Sequence, residues 1–357
     1  MSNDAHIDDP IADPIADREG DDAATDAATL AYLSLHPDDI LDAVDSLGFR
    51  SDGRLLALNS YENRVYRVGI EDERPVVTKF YRPARWSDAA LREEHDFAHE
   101  LAEQDVPIVP PTCYEGETLH FHGAFRFSVS EYRGGRTPEL DDMNLLHQIG
   151  RLVARIHRCG ESHPFEHRPF LDVESFGVRS HDYLLENGLI PRDLEPAYTS
   201  ICEHLFAGIR GCYERAGHTQ QLRLHGDFHP GNVLVDGKIV HIVDLDDARM
   251  GPAVQDLWMF LSGDRAEQTP QLEELLEGYT EFHDFDAREL HLIEALRTLR
   301  IMHYAAWLAR RWRDPAFQRA FPWFDSHRYW DEHMLALREQ AALMEELPLA
   351  WDTSGNY

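Results

Sequence analysis

An aspartate, an asparagine five residues later and a second aspartate at the end of the next apolar run mark where this chain can do chemistry. They lie in Leu224-His225-Gly226-Asp227-Phe228-His229-Pro230-Gly231-Asn232 and in Ile242-Val243-Asp244-Leu245-Asp246-Asp247. A hydroxyl attacking a γ-phosphate needs a carboxylate to orient it and take its proton, and Asp227 fits that role. The phosphates need a hard cation with oxygen ligands, so an amide oxygen and a carboxylate should converge on one metal. Asn232 and Asp244 are the natural pair for Mg2+, with ATP as co-substrate. Either motif alone also fits an ordinary polar turn; their order and spacing favour phosphoryl transfer.

The elements around these residues follow from pattern. Asp236-Gly237 between two short β-branched runs is a hairpin signal, which would bring Asp244 back alongside Asn232. Residues 54–58, 64–68 and 76–81 read as strands of a small antiparallel sheet, with the polar loop 59–63 joining the first two. In the third, alternation puts Lys79 on the face of Val77 and Tyr81, so its ammonium projects from an apolar surface and needs an anion. ATP phosphates would supply one, with a helical glutamate as the lysine's partner. Residues 89–104 read as that helix, with Glu94 the candidate and Glu93 the alternative. A further hairpin is expected over 118–131, and the glycine pair Gly134-Gly135 after it suits a hinge between lobes, where the backbone near Glu131 and Tyr132 could read an adenine edge.

From about residue 141 the pattern turns helical, over 143–159, 196–211, 271–282 and 287–313, with another helix opening at Gly251. His157 reads as a packed core histidine. Asp256 fits an exposed first-turn acid favoured by the helix dipole or, as the preferred reading, a carboxylate receiving hydrogen bonds from the catalytic-loop backbone, while Asp246 and Asp247 fit either a supporting role at the metal or a solvated turn. The fold class is therefore α+β and bilobal, protein-kinase-like: a small antiparallel N-lobe sheet plus one helix, and a larger, mainly helical C-lobe carrying the catalytic hairpin. Residues 1–30 are expected as a disordered acidic tail, 31–132 as the N-lobe and 133–357 as the C-lobe.

Composition narrows the partners. The 357 residues carry a net charge of −31, which repels nucleic acid and anionic lipid and favours cationic partners. The first 28 residues hold nine acidic residues against one basic, without the basic and apolar regions of a signal peptide. No run of about 18 apolar residues is present, so the expectation is a cytoplasmic monomer without nucleic-acid or membrane partners. The four cysteines have no C-x-x-C spacing and read as reduced thiols. The pairs His120/His122 and His163/His167 lack the Cys or Glu frame of a transition-metal site. Trp307, Trp312, Trp323 and Trp330 read as packing residues rather than a docking surface.

Together, His225-Gly226-Asp227 with Asn232, the Asp244 segment, Asn59-Ser60-Tyr61-Glu62-Asn63-Arg64-Val65-Tyr66, Lys79-Phe80-Tyr81-Arg82-Pro83, Asp246-Asp247-Ala248-Arg249 and Gly251-Pro252-Ala253-Val254-Gln255-Asp256-Leu257-Trp258 resemble the bacterial stress response kinase A family over roughly residues 32–335. That family is similar to the aminoglycoside phosphotransferase and choline kinase group. The resemblance implies a serine/threonine protein kinase that autophosphorylates and acts in stress survival. It also implies Asp227 as proton acceptor, Asp244 among the active-site residues, Asn232 and Asp244 as magnesium ligands and Ser60 at the ATP phosphates. Two departures from ordinary protein kinases stand out. The loop 59–63 has no glycine and must rely on Ser60 and asparagine side chains as donors. Asp244-Leu245-Asp246 replaces Asp-Phe-Gly with no activation segment after it, so activation-loop control is not expected. The alternatives are a small-molecule kinase acting on a hydroxyl of a cationic metabolite or aminoglycoside, and a nucleotide-binding scaffold without turnover.

Overall fold

The computed structural model describes Thr29 and residues 32–351; apart from Thr29, the tail expected at 1–30 lies outside the described residues. The chain forms two compact units. The first runs to Arg136 and also takes His163–Phe170 and Val233–Met250, while the second comprises Thr137–Ser162, Leu171–Asn232 and the chain from Gly251 onward. This division follows the sequence less simply than a boundary between residues 132 and 133.

In the first unit, helix α1 (Pro37–Asp45) precedes strands β1 (Ser51–Ala57), β2 (Arg64–Ile70) and β3 (Val76–Phe80). Helix α2 (Asp88–Glu103) and strands β4 (His120–His122) and β5 (Phe125–Glu131) follow, and the five strands form one antiparallel sheet in the order β1-β2-β3-β5-β4. In β3, Val76, Thr78 and Phe80 face the core while Val77 and Lys79 are half-buried on the other face, so the expected alternation holds. The register sets Lys79 opposite Val65 on one side and Ser128 on the other. Ser87 caps α2 by accepting the amide of Ala90, and the helix buries Glu94 among Leu91, Phe97, Ala98 and Leu101.

The predicted hairpin is β6 (Val233–Asp236) and β7 (Ile239–Ile242), turning at Gly237 with φ of 60°. Main-chain bonds explain its place in the first unit. Arg136 and Val235 exchange bonds of 3.0 and 2.8 Å, while Ile242 N–H donates to Pro107 O at 2.9 Å and Val109 N–H to Ile242 O at 3.0 Å. Long-range pairing of this kind overrides sequence order.

The second unit is helical: α3 (Met143–Gly160), α4 (Arg179–Glu186), α5 (Glu195–Ala216), α6 (Arg265–Thr280), α7 (Ile293–Arg311), α8 (Pro315–Ala320) and α9 (His327–Leu343). Helices α3 and α6 touch main chain to main chain. A Cβ on Gly150 would lie 2.0 Å from Leu275 O, and one on Gly278 would lie 2.0 Å from His147 O. Gly160, at the end of α3, meets the short strand Leu222–Leu224 in the same way, 2.2 Å from Arg223 O. These contacts lock α3 beside the strand that leads into His225.

Three helix expectations change. A capping box between Asp264 and Glu267 starts α6 ahead of Pro270, not at 271. Residues 287–313 divide into a 3-10 helix, Ala287–Leu292, and α7. The helix expected from Gly251 is instead a pair of 3-10 turns, Ala253–Asp256 and Trp258–Phe260, because bonds to distant residues hold Val254, Gln255 and Asp256. Of the four C-terminal tryptophans, Trp330 is buried, Trp307 and Trp312 pack against the α-helical core, and Trp323 is exposed. Among the described residues no helix is long and apolar enough to cross a membrane.

Candidate active site

The first unit assembles a charged cluster around Lys79. Its ammonium lies 2.8 Å from Asp244 Oδ1, 3.2 Å from Asp246 Oδ1 and 3.8 Å from Glu94 Oε1. Burial works against the charge, but the carboxylates of Asp244, Asp246 and Glu94 outweigh it and hold Lys79 well above the usual lysine range. The Glu94 carboxyl is raised as well, but by burial, which Lys79 and Arg168 only partly offset. The expected lysine–glutamate pair is therefore Lys79 with Glu94. Glu93 points elsewhere, accepting the amides of Glu166 at 2.5 Å and His167 at 2.9 Å.

Asp246 and Asp247 are not a solvated turn. Arg85 donates to both, with 2.7 Å to Asp247, and Arg249 also donates to Asp247 at 2.7 Å. Despite burial, Arg85 and Lys79 hold the Asp246 carboxyl below the usual range, and Arg85 and Arg249 do the same for Asp247. Arg168, fully buried, donates to the carbonyls of Leu245 at 3.0 Å and Asp246 at 2.9 Å and covers the Trp86 ring at 4.3 Å. Asp244 differs from its neighbours. Its side chain is 43% exposed and its backbone is left-handed with φ of 66°, a conformation that aspartate tolerates better than most residues. One carboxylate oxygen faces Lys79, and the exposure leaves the group accessible to a cation.

Ser60 sits half-buried in the loop between β1 and β2. Asn63, expected with it as a phosphate donor, is buried, and its amide oxygen accepts the Arg82 amide at 3.0 Å. That leaves Asn59 and Ser60 as the loop's outward polar side chains of this kind.

The second unit builds the catalytic loop. Gly226 has φ of 82°, which favours glycine there. The fully buried Asp256 accepts the amides of His225 at 2.8 Å and Gly226 at 2.9 Å, as expected from sequence. Gln255 Nε2 adds a donation to Gly226 O at 2.9 Å. His157, also fully buried, bonds Asp256 through Nε2 at 3.2 Å and the Tyr279 hydroxyl through Nδ1 at 2.9 Å, and burial lowers its pKa against the pull of Asp256. It is a core histidine, and it also supports the loop.

Asp227 projects from that frame. One carboxylate oxygen pairs with Arg300, and the other lies 3.4 Å from His229 Nε2. Asn232 donates from Nδ2 to Asp227 O at 2.9 Å, which leaves its amide oxygen as the free end, the atom type a magnesium ion takes. Magnesium takes hard oxygen ligands, and the Asn232 amide oxygen in the second unit and the accessible Asp244 carboxylate in the first are each of that type. Beside Arg300 lies a cleft of about 630 Å³ lined by Trp258, Arg297, Tyr304, Trp323 and Tyr329.

The structure thus groups Lys79, Glu94 and Asp244 within one unit and Asp227 with Asn232 within the other. Sequence reasoning missed Arg85, Arg168, Arg300 and Gln255. The adjacent acids Asp246-Asp247 were the available signal for a buried cation nearby.

This architecture, with a five-stranded sheet carrying a lysine–glutamate pair and a helical unit carrying a braced His-Gly-Asp loop, is that of a kinase-like phosphotransferase. The phosphotransferase enzyme family (APH) matches residues 54–293, and the chain belongs to that family, in its stress response kinase A group. It is 44% identical over 319 residues to stress response kinase A of Escherichia coli K12, covering 89% of this chain and 96% of that protein. It is 42% identical, with the same coverage, to a Salmonella typhimurium protein named serine/threonine protein kinase RdoA. Among solved structures, amicoumacin kinase hAmiN in complex with AMP-PNP, Ca2+ and Ami has the same fold, with a TM-score of 0.70 at 17% identity over 88% of this chain and 95% of that one.

Proposed function

We propose that this kinase is an ATP- and magnesium-dependent serine/threonine protein kinase that acts in stress response and autophosphorylates. The observation that carries the ATP reading is Lys79 held between Glu94 and Asp244, a cation placed by a buried partner and ready for an anion. Lys79 would bind the nucleotide phosphates, with Ser60 donating to them. Asn232 and Asp244 would hold magnesium, which neutralises phosphate charge when bound. Asp227 would orient the acceptor hydroxyl and take its proton as the hydroxyl oxygen bonds to the γ-phosphorus and the bond to ADP breaks. In that step the hydroxyl takes the place of Arg300 at the carboxylate.

Two observations support a protein acceptor. Relatives covering nearly the whole chain include one named as a serine/threonine protein kinase. The cleft at Arg300 is aromatic and carries Arg297 as well, which suits a polypeptide segment better than a polycation. A second reading, a kinase for a cationic amino alcohol or aminoglycoside, draws on the net charge of −31.

The test is incubation with magnesium and γ-labelled ATP, a basic protein substrate and a panel of amino alcohols and aminoglycosides. Label on serine or threonine of the enzyme and the protein, lost in Asp227→Ala, is the expected result. Label confined to a small molecule overturns the protein-kinase reading in favour of the second, and no label at all overturns both.

A further inference from the structure

The catalytic loop is gripped by a turn that cannot hold itself. Ala253–Asp256 is a single 3-10 turn after Pro252, with no side-chain cap, yet all four of its residues are buried. A helical turn leaves its first amides without internal partners, and buried amides without partners are costly. Here Val254 N–H donates to Glu289 Oε2 at 2.9 Å, from a residue in the separate 3-10 helix Ala287–Leu292. Glu289 therefore caps the turn from outside, and the turn passes that constraint on: Gln255 holds Gly226 O, and Asp256 holds the amides of His225 and Gly226.

We propose that Glu289 is a positioning residue for phosphoryl transfer: by fixing the Ala253–Asp256 turn it sets the backbone from which Asp227 projects. The proposal rests on the reading of Asp227 as proton acceptor.

A carboxyl at this place is an expensive choice. Glu289 is 2% exposed, and burial pushes its carboxyl up to about 7, with the amides of Val254 and Ala253 pulling down and Asp286 pushing up. A hydrophobic side chain would fill the space without that cost, but it would leave the Val254 amide unpaired. The residue also lines a cavity of about 860 Å³ with Arg158, His218 and His283, so a shortened side chain would admit water rather than be replaced by another protein acceptor. Water can pair the amide, but it cannot fix the turn to the Ala287–Leu292 helix.

The test compares Glu289→Ala, Glu289→Gln and Glu289→Asp in the full chain, with Asp227→Ala as reference. Glutamine keeps the acceptor oxygen and the length; alanine removes it and aspartate draws it back. Glu289→Ala is expected to lower kcat by about tenfold with KM for ATP within about twofold, and to speed amide exchange at His225 and Gly226. Glu289→Gln is expected to restore both kcat and protection. Wild-type kcat or unchanged exchange in Glu289→Ala overturns the proposal, as does a Glu289→Gln enzyme as impaired as the alanine variant. If Glu289→Ala fails to fold, a Gln variant near wild type with an impaired Asp variant supports the proposal, and two equal variants overturn it. Activity retained in Asp227→Ala overturns the catalytic reading instead, and the exchange measurement then still decides whether Glu289 holds the turn.

Discussion

Around Lys79 the first unit gathers charged side chains, with Glu94, Asp244, Asp246 and Arg85 meeting through their ends; around Asp227 the second unit fixes main chain, with Asp256 and Gln255 gripping the amides and carbonyl of His225 and Gly226. Ion pairs between long side chains can be exchanged for phosphate and metal contacts with little movement of the backbone. A loop held by its own peptide groups cannot be rearranged without breaking buried hydrogen bonds. The difference matches two tasks. A nucleotide site must accept and release a polyanion at every turnover, whereas a proton acceptor must stay in one place.

That contrast can be broken from either side. Asp227→Ala should cost the most, about 10²–10⁴ in kcat with ATP affinity nearly unchanged, as measured by turnover and nucleotide titration; preserved turnover would remove Asp227 from its role. Asp256→Ala should come next, because it strands two buried amides and His157, and a loss of about 3 kcal/mol or more in urea unfolding is expected. A variant as stable as the parent would mean that the loop does not depend on that grip. Asp244→Asn should weaken magnesium-dependent ATP binding by about 10–100-fold while leaving the fold intact, and metal-dependent affinity equal to wild type would count against Asp244 as a ligand. The smallest effect should be that of Asp247→Asn. Its carboxyl is lowered from the ordinary 3.8, burial being outweighed by Arg85 and Arg249, so its stabilising effect is present above that value and fades as pH falls through the lower folded value. The melting temperatures of variant and wild type should differ at neutral pH and converge in acid; a constant gap would show that the ion pair is not its source.

Much of this was legible in the sequence, and the reason differs by residue. The face of Lys79 and the hairpin at Gly237 follow from alternation and turn chemistry, both of which act over a few neighbouring residues. Glu94 was legible only as one of two adjacent acids, with Glu93, on a helix expected to partner the lysine; which of them faces inward is set by the packing of α2. Arg85 and Arg168 were not, since their partners lie 161 and 77 or 78 residues away and nothing local marks an arginine as buried. The turn at Ala253–Asp256 was read as a helix for the same reason: its local pattern is helical, and what shortens it is Glu289, 35 residues on. The hairpin's membership of the first unit likewise depends on pairing with Arg136 and Pro107, which no periodicity reports.

The crossing of α3 and α6 has a consequence for how this enzyme can diversify. Where Gly150 and Gly278 let main chain meet main chain, no side chain can be traded for another to tilt or slide one helix on its neighbour. A change of acceptor would therefore leave this joint alone and fall on the side chains of α7 and α9 that line the cleft, Arg297, Tyr304, Tyr329 and Glu332.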